Sequence, residues 1–101
     1  MQVRIDVTEE DIRQGQPGSR YHCPIAKALN RAFADRLCVF AVTPSRLLVL
    51  GIDLTLLGKC WLPRPAIDFI SGFDQELSVR PFSAVFDLPD TMPCAERCEN
   101  A

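Results

Sequence analysis

Residues 23–30 constrain the fold more than any other part of this sequence. Pro24 fits the first position of a helix, where its missing N–H costs nothing, and Cys23 then takes the N-cap position. Apolar residues recur at spacings of three and four and form one stripe: Ile25, Ala28, Leu29, Ala32 and Phe33. The pattern predicts an amphipathic helix that runs to about Ala34 and forms one wall of the core.

A strand and a short helix are expected before this helix. Residues 2–7 alternate apolar and polar side chains, which predicts a half-buried strand. Thr8 follows as an N-cap, and Asp11 lies three residues later, as in a capping box. Glu9 and Glu10 share the first turn, where carboxylates favour the positive end of the helix dipole. The helix is expected to end at Gly15.

Residues 37–62 are rich in β-branched and aromatic residues, and their apolar positions no longer follow the helical spacing. This composition is typical of β-strands. Residues 43–45 and Gly58 are expected turns, and residues 52–56 alternate as a further strand. Together they predict an antiparallel meander of two to four strands. Residues 47–50 are apolar on both faces, which favours a covered central strand or a dimer contact. Trp61 is expected in the core.

A third helix and a last strand complete the predicted domain. Prolines at 63 and 65 start the helix, whose apolar stripe has five members: Ala66, Ile67, Phe69, Ile70 and Phe73. In the predicted strand, residues 80–88, Phe82, Ala84 and Phe86 alternate. The order β-α-α-β-β(β)-α-β predicts a single α+β domain over residues 1–88, with helices packed on a mainly antiparallel sheet. Residues 89–101 are predicted to form a loose C-terminal tail.

Composition excludes several classes of protein. The formal net charge of −2 is too small to indicate a nucleic-acid binder, a membrane-surface protein or a DNA mimic. The charge is uneven, since residues 1–50 carry +2 and residues 51–101 carry −4. No stretch approaches the ~20 apolar residues of a membrane span, and the N-terminus has no signal-peptide core, so a cytoplasmic protein is expected. Five cysteines, an odd number, favour reduced thiols over a disulfide framework.

Three motifs in a fixed order carry a resemblance to a known group of proteins. The first motif is a strand and a short acidic helix followed by Cys-Pro-Ile-Ala-x-Ala-Leu. The second is a helix that starts with Leu-Pro and ends in Phe-Ile-x-x-Phe-Asp. The third is Pro-Phe-Ser in the last strand. The matching stretches are 3–29, 62–74 and 81–86. This layout resembles a family of small phage and mobile-element proteins, and small phage proteins of this sort include anti-CRISPR inhibitors. The resemblance implies action in the cytoplasm of a host bacterium, by binding a Cas protein and blocking nucleic-acid access or nuclease recruitment.

Residue chemistry offers few sites for catalysis or metal binding. His22, Cys23, Cys94 and Cys98 include ligand types that Zn²⁺ prefers, but adjacent His22 and Cys23 do not easily reach one ion. Because the side chains of neighbouring residues point in different directions, His22 cannot act as a base for Cys23, and the sequence has no other histidine. Four basic residues and one tyrosine surround the loop and the second helix: Arg13, Arg20, Tyr21, Lys27 and Arg31. We interpret them as a solvated surface rather than a phosphate site.

We therefore expect a binding protein rather than an enzyme, with no metal, no cofactor and no direct contact with nucleic acid. The predicted function is inhibition of host CRISPR immunity by steric occlusion of a Cas component. Seven residues are predicted to bind the partner: Glu9, Glu10, Asp11, Tyr21, Asp68, Asp74 and Glu76. The acidic residues among them would face a basic surface on the Cas protein. Two alternatives stay open, a phage module that self-associates as a homodimer and a zinc-dependent binding module.

Overall fold

The computed structural model describes residues 2–36 and 38–89. Within these residues the chain forms five strands and three helices: β1 (Gln2–Val7), α1 (Glu9–Gln14), α2 (Pro24–Ala32), β2 (Cys38–Val42), β3 (Arg46–Gly51), β4 (Leu56–Trp61), α3 (Arg64–Asp74) and β5 (Phe82–Asp87). This order confirms the predicted α+β class. The predictions for the tail, including those on Cys94 and Cys98, concern residues outside the described part of the chain.

The strands are divided between two antiparallel sheets. One sheet pairs β1 with β5, so that Ile5 lies opposite Ala84 and Val3 opposite Phe86. The other has the order β2-β3-β4, with a register shift at Val49/Leu50. In the central strand β3, Leu47, Val49 and Leu50 are buried and Leu48 is half-buried. Neither face of this segment is therefore fully open to solvent, which fits the interpretation of residues 47–50 as a covered central strand.

The helix starts follow the sequence signals. Thr8 caps α1, and Cys23 caps α2, where its Sγ accepts a hydrogen bond from the Ala26 N–H at 3.4 Å. The predicted end of α2 is wrong by two residues, since the helix stops at Ala32 and Phe33 occupies the C-cap. Ala32 is also exposed rather than part of the core. Phe33 makes the contact with the sheet at this end, its ring centroid lying 5.5 Å from that of Phe40.

The predicted strand at 52–56 is instead mostly a turn between β3 and β4. Leu54 has a φ of 68°, and its N–H donates to the Gly51 carbonyl at 2.8 Å. The Gly51 N–H in turn donates to the Thr55 carbonyl at 2.8 Å. Gly58, predicted as a turn, lies within β4. The two hydrogen bonds close the turn before β4 begins. The strand therefore starts at Leu56, later in the chain than the strand predicted at 52–56.

One hydrophobic core joins both sheets to the helices. The β1–β5 sheet contributes Ile5 and Phe86, and the three-stranded sheet contributes Phe40 and Leu47. Helices α2 and α3 add the greater part of the remaining buried side chains: Ile25, Ala26, Ala28, Leu29, Ala66, Phe69, Ile70 and Phe73. Ile12 of α1 also packs against this core, which therefore holds α1 and α3 in fixed positions.

Candidate partner-binding surface

A capping box begins α1 and orients its acidic residues. The Thr8 hydroxyl oxygen accepts a hydrogen bond from the Asp11 N–H at 3.2 Å, and the Asp11 carboxylate accepts one from the Thr8 N–H at 2.9 Å. The reciprocal pair satisfies two of the backbone donors that a helix start leaves open. It also turns the Asp11 side chain back toward the protein.

Asp11 is buried and paired with Arg31, so its prediction as a partner-binding residue is wrong. The guanidinium donates to both carboxylate oxygens, one of them at 3.0 Å, and it also donates to the Asp6 carbonyl at 3.1 Å. Burial raises the pKa of Asp11, but the hydrogen bonds from Arg31 and Thr8 outweigh it and hold the pKa below its ordinary value. The carboxylate therefore stays charged and serves the fold.

Two more of the predicted acidic residues are exposed but paired with neighbouring cations. Glu10 accepts from Arg13 and from the Gln14 amide, the latter at 2.7 Å. Asp68 accepts from the Arg64 guanidinium at 3.2 Å, one helical turn earlier in α3. Their charges are partly neutralised within their own helices, which reduces the field that they present to a partner.

The C-terminal end of α3 is tied to the loop that follows α1. The Asp74 carboxylate accepts a hydrogen bond from the Gly18 N–H at 2.9 Å, and Gly18 has a φ of 72°. Glu76 follows the helix with a φ of 59°, and its N–H donates to the Phe73 carbonyl at 2.9 Å. These contacts tie Asp74 to the loop that follows α1, and they place Glu76 on a tightly turned segment after α3.

An apolar groove of about 390 Å³ lies between α1 and the end of α3, and we call it the α1–α3 groove. Its lining has eight members: Ile12, Gly15, Pro17, Phe73, Glu76, Leu77, Ser78 and Val79. Glu9 lies three residues before Ile12 and so shares its side of the helix, whereas Glu10 lies on the side of Gln14. One carboxylate, that of Glu76, therefore lines the groove, and Glu9 lies on the same side of α1 as Ile12, whereas Asp74 lines a different cleft with Gly18 and Arg20.

Tyr21 lies in a separate cleft, away from α3. That cleft, about 610 Å³, is lined by Tyr21, His22, Lys27 and Val39, together with Asp11, Gln14, Asn30 and Arg31. The structure thus groups Tyr21 with two of the basic residues noted in the sequence. Since Arg31 is already bound by Asp11, Lys27 is the cation of this cleft that has no ion pair with a described residue.

The described cysteines are buried or half-buried thiols. Burial raises the pKa of Cys23, which keeps it protonated and unreactive despite its place at a helix start. Burial also raises the pKa values of Cys38 and Cys60. Within residues 2–36 and 38–89, no three His, Cys, Asp or Glu side chains are grouped to hold a metal ion. A zinc site that uses Cys94 and Cys98 involves residues outside that part.

Trp61 is exposed, so its expected place in the core is wrong. It lies at the end of β4 with 64% of its surface accessible, and the Arg46 guanidinium covers its ring at 4.3 Å from the centroid. The turn and strand before it expose four further large apolar side chains: Ile52, Leu54, Leu56 and Leu57. We call these five residues the hairpin surface. Sequence reasoning missed it because alternation alone does not show which face of an edge strand is covered.

No protein-family model, curated protein or solved structure matches this chain. Among the residues that the structure describes, no helix is long and apolar enough to cross a membrane.

Proposed function

We propose that this protein binds a basic surface of another protein through the α1–α3 groove, and that the partner is a nucleic-acid-binding component of a Cas effector. The observation that carries the proposal is the groove itself, an apolar concavity lined by Glu76, with Glu9 on the side of α1 that carries Ile12. Glu9 and Glu76 have no ion pair with any described residue, so their charges are available to a partner.

The groove combines two sources of binding energy. Its lining includes Ile12, Phe73 and Val79, and Leu77 at its edge is 59% exposed. Burying such side chains supplies affinity, while the surrounding carboxylates speed encounter with a cationic surface and reject an acidic one. A partner segment that carries both apolar and basic residues matches this combination.

Occlusion, rather than imitation of a nucleic acid, is the mode of action that we propose. Imitation requires dense unpaired carboxylates, whereas Asp11, Glu10 and Asp68 are each paired with an arginine. A small protein seated on a basic groove blocks nucleic acid by occupying space. The choice of a Cas effector as partner rests on the resemblance carried by residues 3–29, 62–74 and 81–86.

The test is binding of the purified full-length protein to a panel of purified Cas effectors, measured by biolayer interferometry together with target cleavage. We expect a stoichiometric complex with at least one effector, and loss of its nucleic-acid binding. Glu76→Asn combined with Glu9→Gln should weaken binding about tenfold. Asparagine tolerates the positive φ at position 76, so this variant removes the charge without straining the backbone.

Asp68→Asn is the matched control, because Asp68 is a carboxylate of α3 that lies outside the groove lining and is already paired with Arg64. It should bind like the wild type. If no effector in the panel binds, the Cas assignment is wrong. If an effector binds the double variant as tightly as the wild type, the groove is not the interface.

A further inference from the structure

The cleft that contains Tyr21, which we call the Tyr21 cleft, has the volume of a small-molecule binding site. It encloses about 610 Å³. Typical ligand sites in proteins measure about 300–1,000 Å³. Its walls come from α1, from the loop before α2, from one face of α2 and from β2. Its described lining shares no residue with the α1–α3 groove, so a ligand bound here is independent of the proposed function.

Lys27 brings an unbalanced positive charge into this cleft. The residue is half-buried and has no ion pair with a described residue. Asp11 is the one carboxylate among the described lining residues, but both of its oxygens accept hydrogen bonds from Arg31. Those two opposite charges cancel, which leaves the Lys27 ammonium group without a counter-ion. Partial burial of an unpaired cation is unfavourable, and an anion bound in the cleft would offset that penalty.

Helix α2 places a second hydrogen-bond donor beside Lys27. Asn30 lies three residues later, on the same face of the helix, and also lines the cleft. Its Oδ1 atom accepts a hydrogen bond from the Phe40 N–H at 3.2 Å, which fixes the orientation of the amide. Among the described residues, its Nδ2 group keeps both N–H donors for a ligand. This face of α2 therefore offers donors, which suits an anion.

Tyr21 forms an aromatic wall that the loop holds in place. On one side of it, the Arg20 carbonyl accepts a hydrogen bond from the Val42 N–H at 2.8 Å. On the other side, the His22 carbonyl accepts one from the Gln16 N–H at 2.9 Å. Because the backbone is fixed on both sides of Tyr21, a ligand does not have to order this wall when it binds. An aromatic ring favours stacking with another flat ring.

We propose that the Tyr21 cleft binds a small organic anion in which a carboxylate or phosphate group is joined to a flat ring. The anionic oxygens accept hydrogen bonds from Lys27 and Asn30, and the ring packs on Tyr21. One unbalanced cation suits a small anion rather than a nucleic-acid strand, which needs several basic contacts. Two other basic residues of this region, Arg13 and Arg20, are exposed and lie outside the described lining of the cleft.

The test is a titration of the full-length protein with five probes, followed by nuclear magnetic resonance. Benzoate and adenosine 5′-monophosphate each carry a ring and an anionic group, benzamide and adenosine keep the ring without the charge, and inorganic phosphate has the charge without the ring. Tyr21 is the only tyrosine of the chain, so its ring-proton signals report on the cleft directly. We expect saturable shifts with benzoate or with the nucleotide, and at least about tenfold weaker binding of the matching uncharged probe and of inorganic phosphate.

Binding of benzoate alone would identify a carboxylate as the preferred group, and binding of the nucleotide alone would identify a phosphate. Either result supports the proposal. The absence of any shift of the Tyr21 signals up to about 10 mM of every probe would overturn it. Equal binding of a charged probe and its uncharged partner, or of inorganic phosphate and the nucleotide, would overturn it as well.

Variants then assign the contacts, with binding followed by the backbone amide signals of α2. Lys27→Gln and Tyr21→Leu should each weaken binding at least about tenfold, whereas Lys27→Arg keeps the charge and should bind nearly as well as the wild type. Lys59→Gln is the matched control, because Lys59 is the only other lysine of the chain and lies exposed in β4. It should bind like the wild type. Unchanged binding by Lys27→Gln with an unchanged circular dichroism spectrum would overturn the proposal, as would an equal loss in Lys59→Gln.

Discussion

The carboxylate of Asp11 joins three segments of the chain. It accepts hydrogen bonds from Thr8 at the start of α1 and from Arg31 in α2, and Arg31 also donates to the Asp6 carbonyl in β1. The acidic first turn of α1 is visible in the sequence, and so is the capping box. The sequence does not show that Arg31, twenty residues away, is the partner of Asp11, because this pairing depends on how α2 packs against α1.

Asp11→Asn should lower the free energy of unfolding by about 2 kcal/mol near neutral pH, because it replaces a buried charge-assisted pair with weaker bonds. The effect should depend on pH. In the unfolded chain the carboxyl takes up a proton near its ordinary pKa of 3.8, whereas in the folded protein its pKa is lower. The stabilisation is therefore complete above the ordinary value and is lost as pH falls through the lowered pKa.

Urea unfolding of wild type and variant at several pH values measures both effects. The difference between the two proteins should shrink as the pH falls below 3.8. Glu10→Gln, on the same helix but exposed and paired only with its helical neighbours, is the control and should change stability little. A difference between wild type and Asp11→Asn that stays constant with pH would contradict the assigned pair.

At the scale of the elements, the contact between α1 and α2 depends on the lack of a side chain at Gly15. Its φ of −71° is open to any residue, so the requirement is one of space. A Cβ at this position would lie 2.6 Å from the Pro24 ring carbons and 2.9 Å from the Asp11 carbonyl oxygen. The same Pro24 that starts α2 thus packs against the end of α1 at Gly15, which is one of the residues that line the α1–α3 groove.

Gly15→Ala should therefore destabilise the protein by about 1–3 kcal/mol, since the added methyl group overpacks the junction. The control is Gln16→Ala, at the adjacent exposed position, which should have little effect. Urea unfolding gives both values. Equal stability of Gly15→Ala and wild type would show that the α1–α2 junction has room that these distances do not allow.

At the scale of the whole molecule, the two sheets share one core and should unfold together. Phe86, from the β1–β5 sheet, is fully buried in the same cluster as Phe40 and Leu47 from the other sheet. The only tryptophan, Trp61, lies in β4 and reports on the three-stranded sheet. The two sheets can therefore be followed by different signals in a single experiment.

Phe86→Leu should lower stability by about 1 kcal/mol, because it leaves a small cavity in the shared core. The denaturation midpoint should shift equally when followed by Trp61 fluorescence and by far-ultraviolet circular dichroism. The control is Val85→Ala on the same strand, where the side chain is exposed. A shift seen by circular dichroism but not by Trp61 fluorescence would show that the sheets unfold as separate units.

The sequence by itself determined the elements whose signals are local. Thr8 and Cys23 cap their helices, Pro24 starts α2, and the alternation of residues 82–86 gives β5, because capping and periodicity act between residues close in the chain. For the same reason the α+β class could be predicted. Where a strand turns was harder to predict, as residues 52–56 show, since that depends on its pairing with β3.

Only the tertiary structure decided which residues are available to a partner. It buries Asp11 against Arg31, exposes Trp61, and brings Glu76 beside Ile12 in one groove. Exposure and pairing are set by contacts between segments that lie far apart in the chain. No local pattern of residues specifies those contacts, because many packings satisfy the same periodicity and only the complete core selects one.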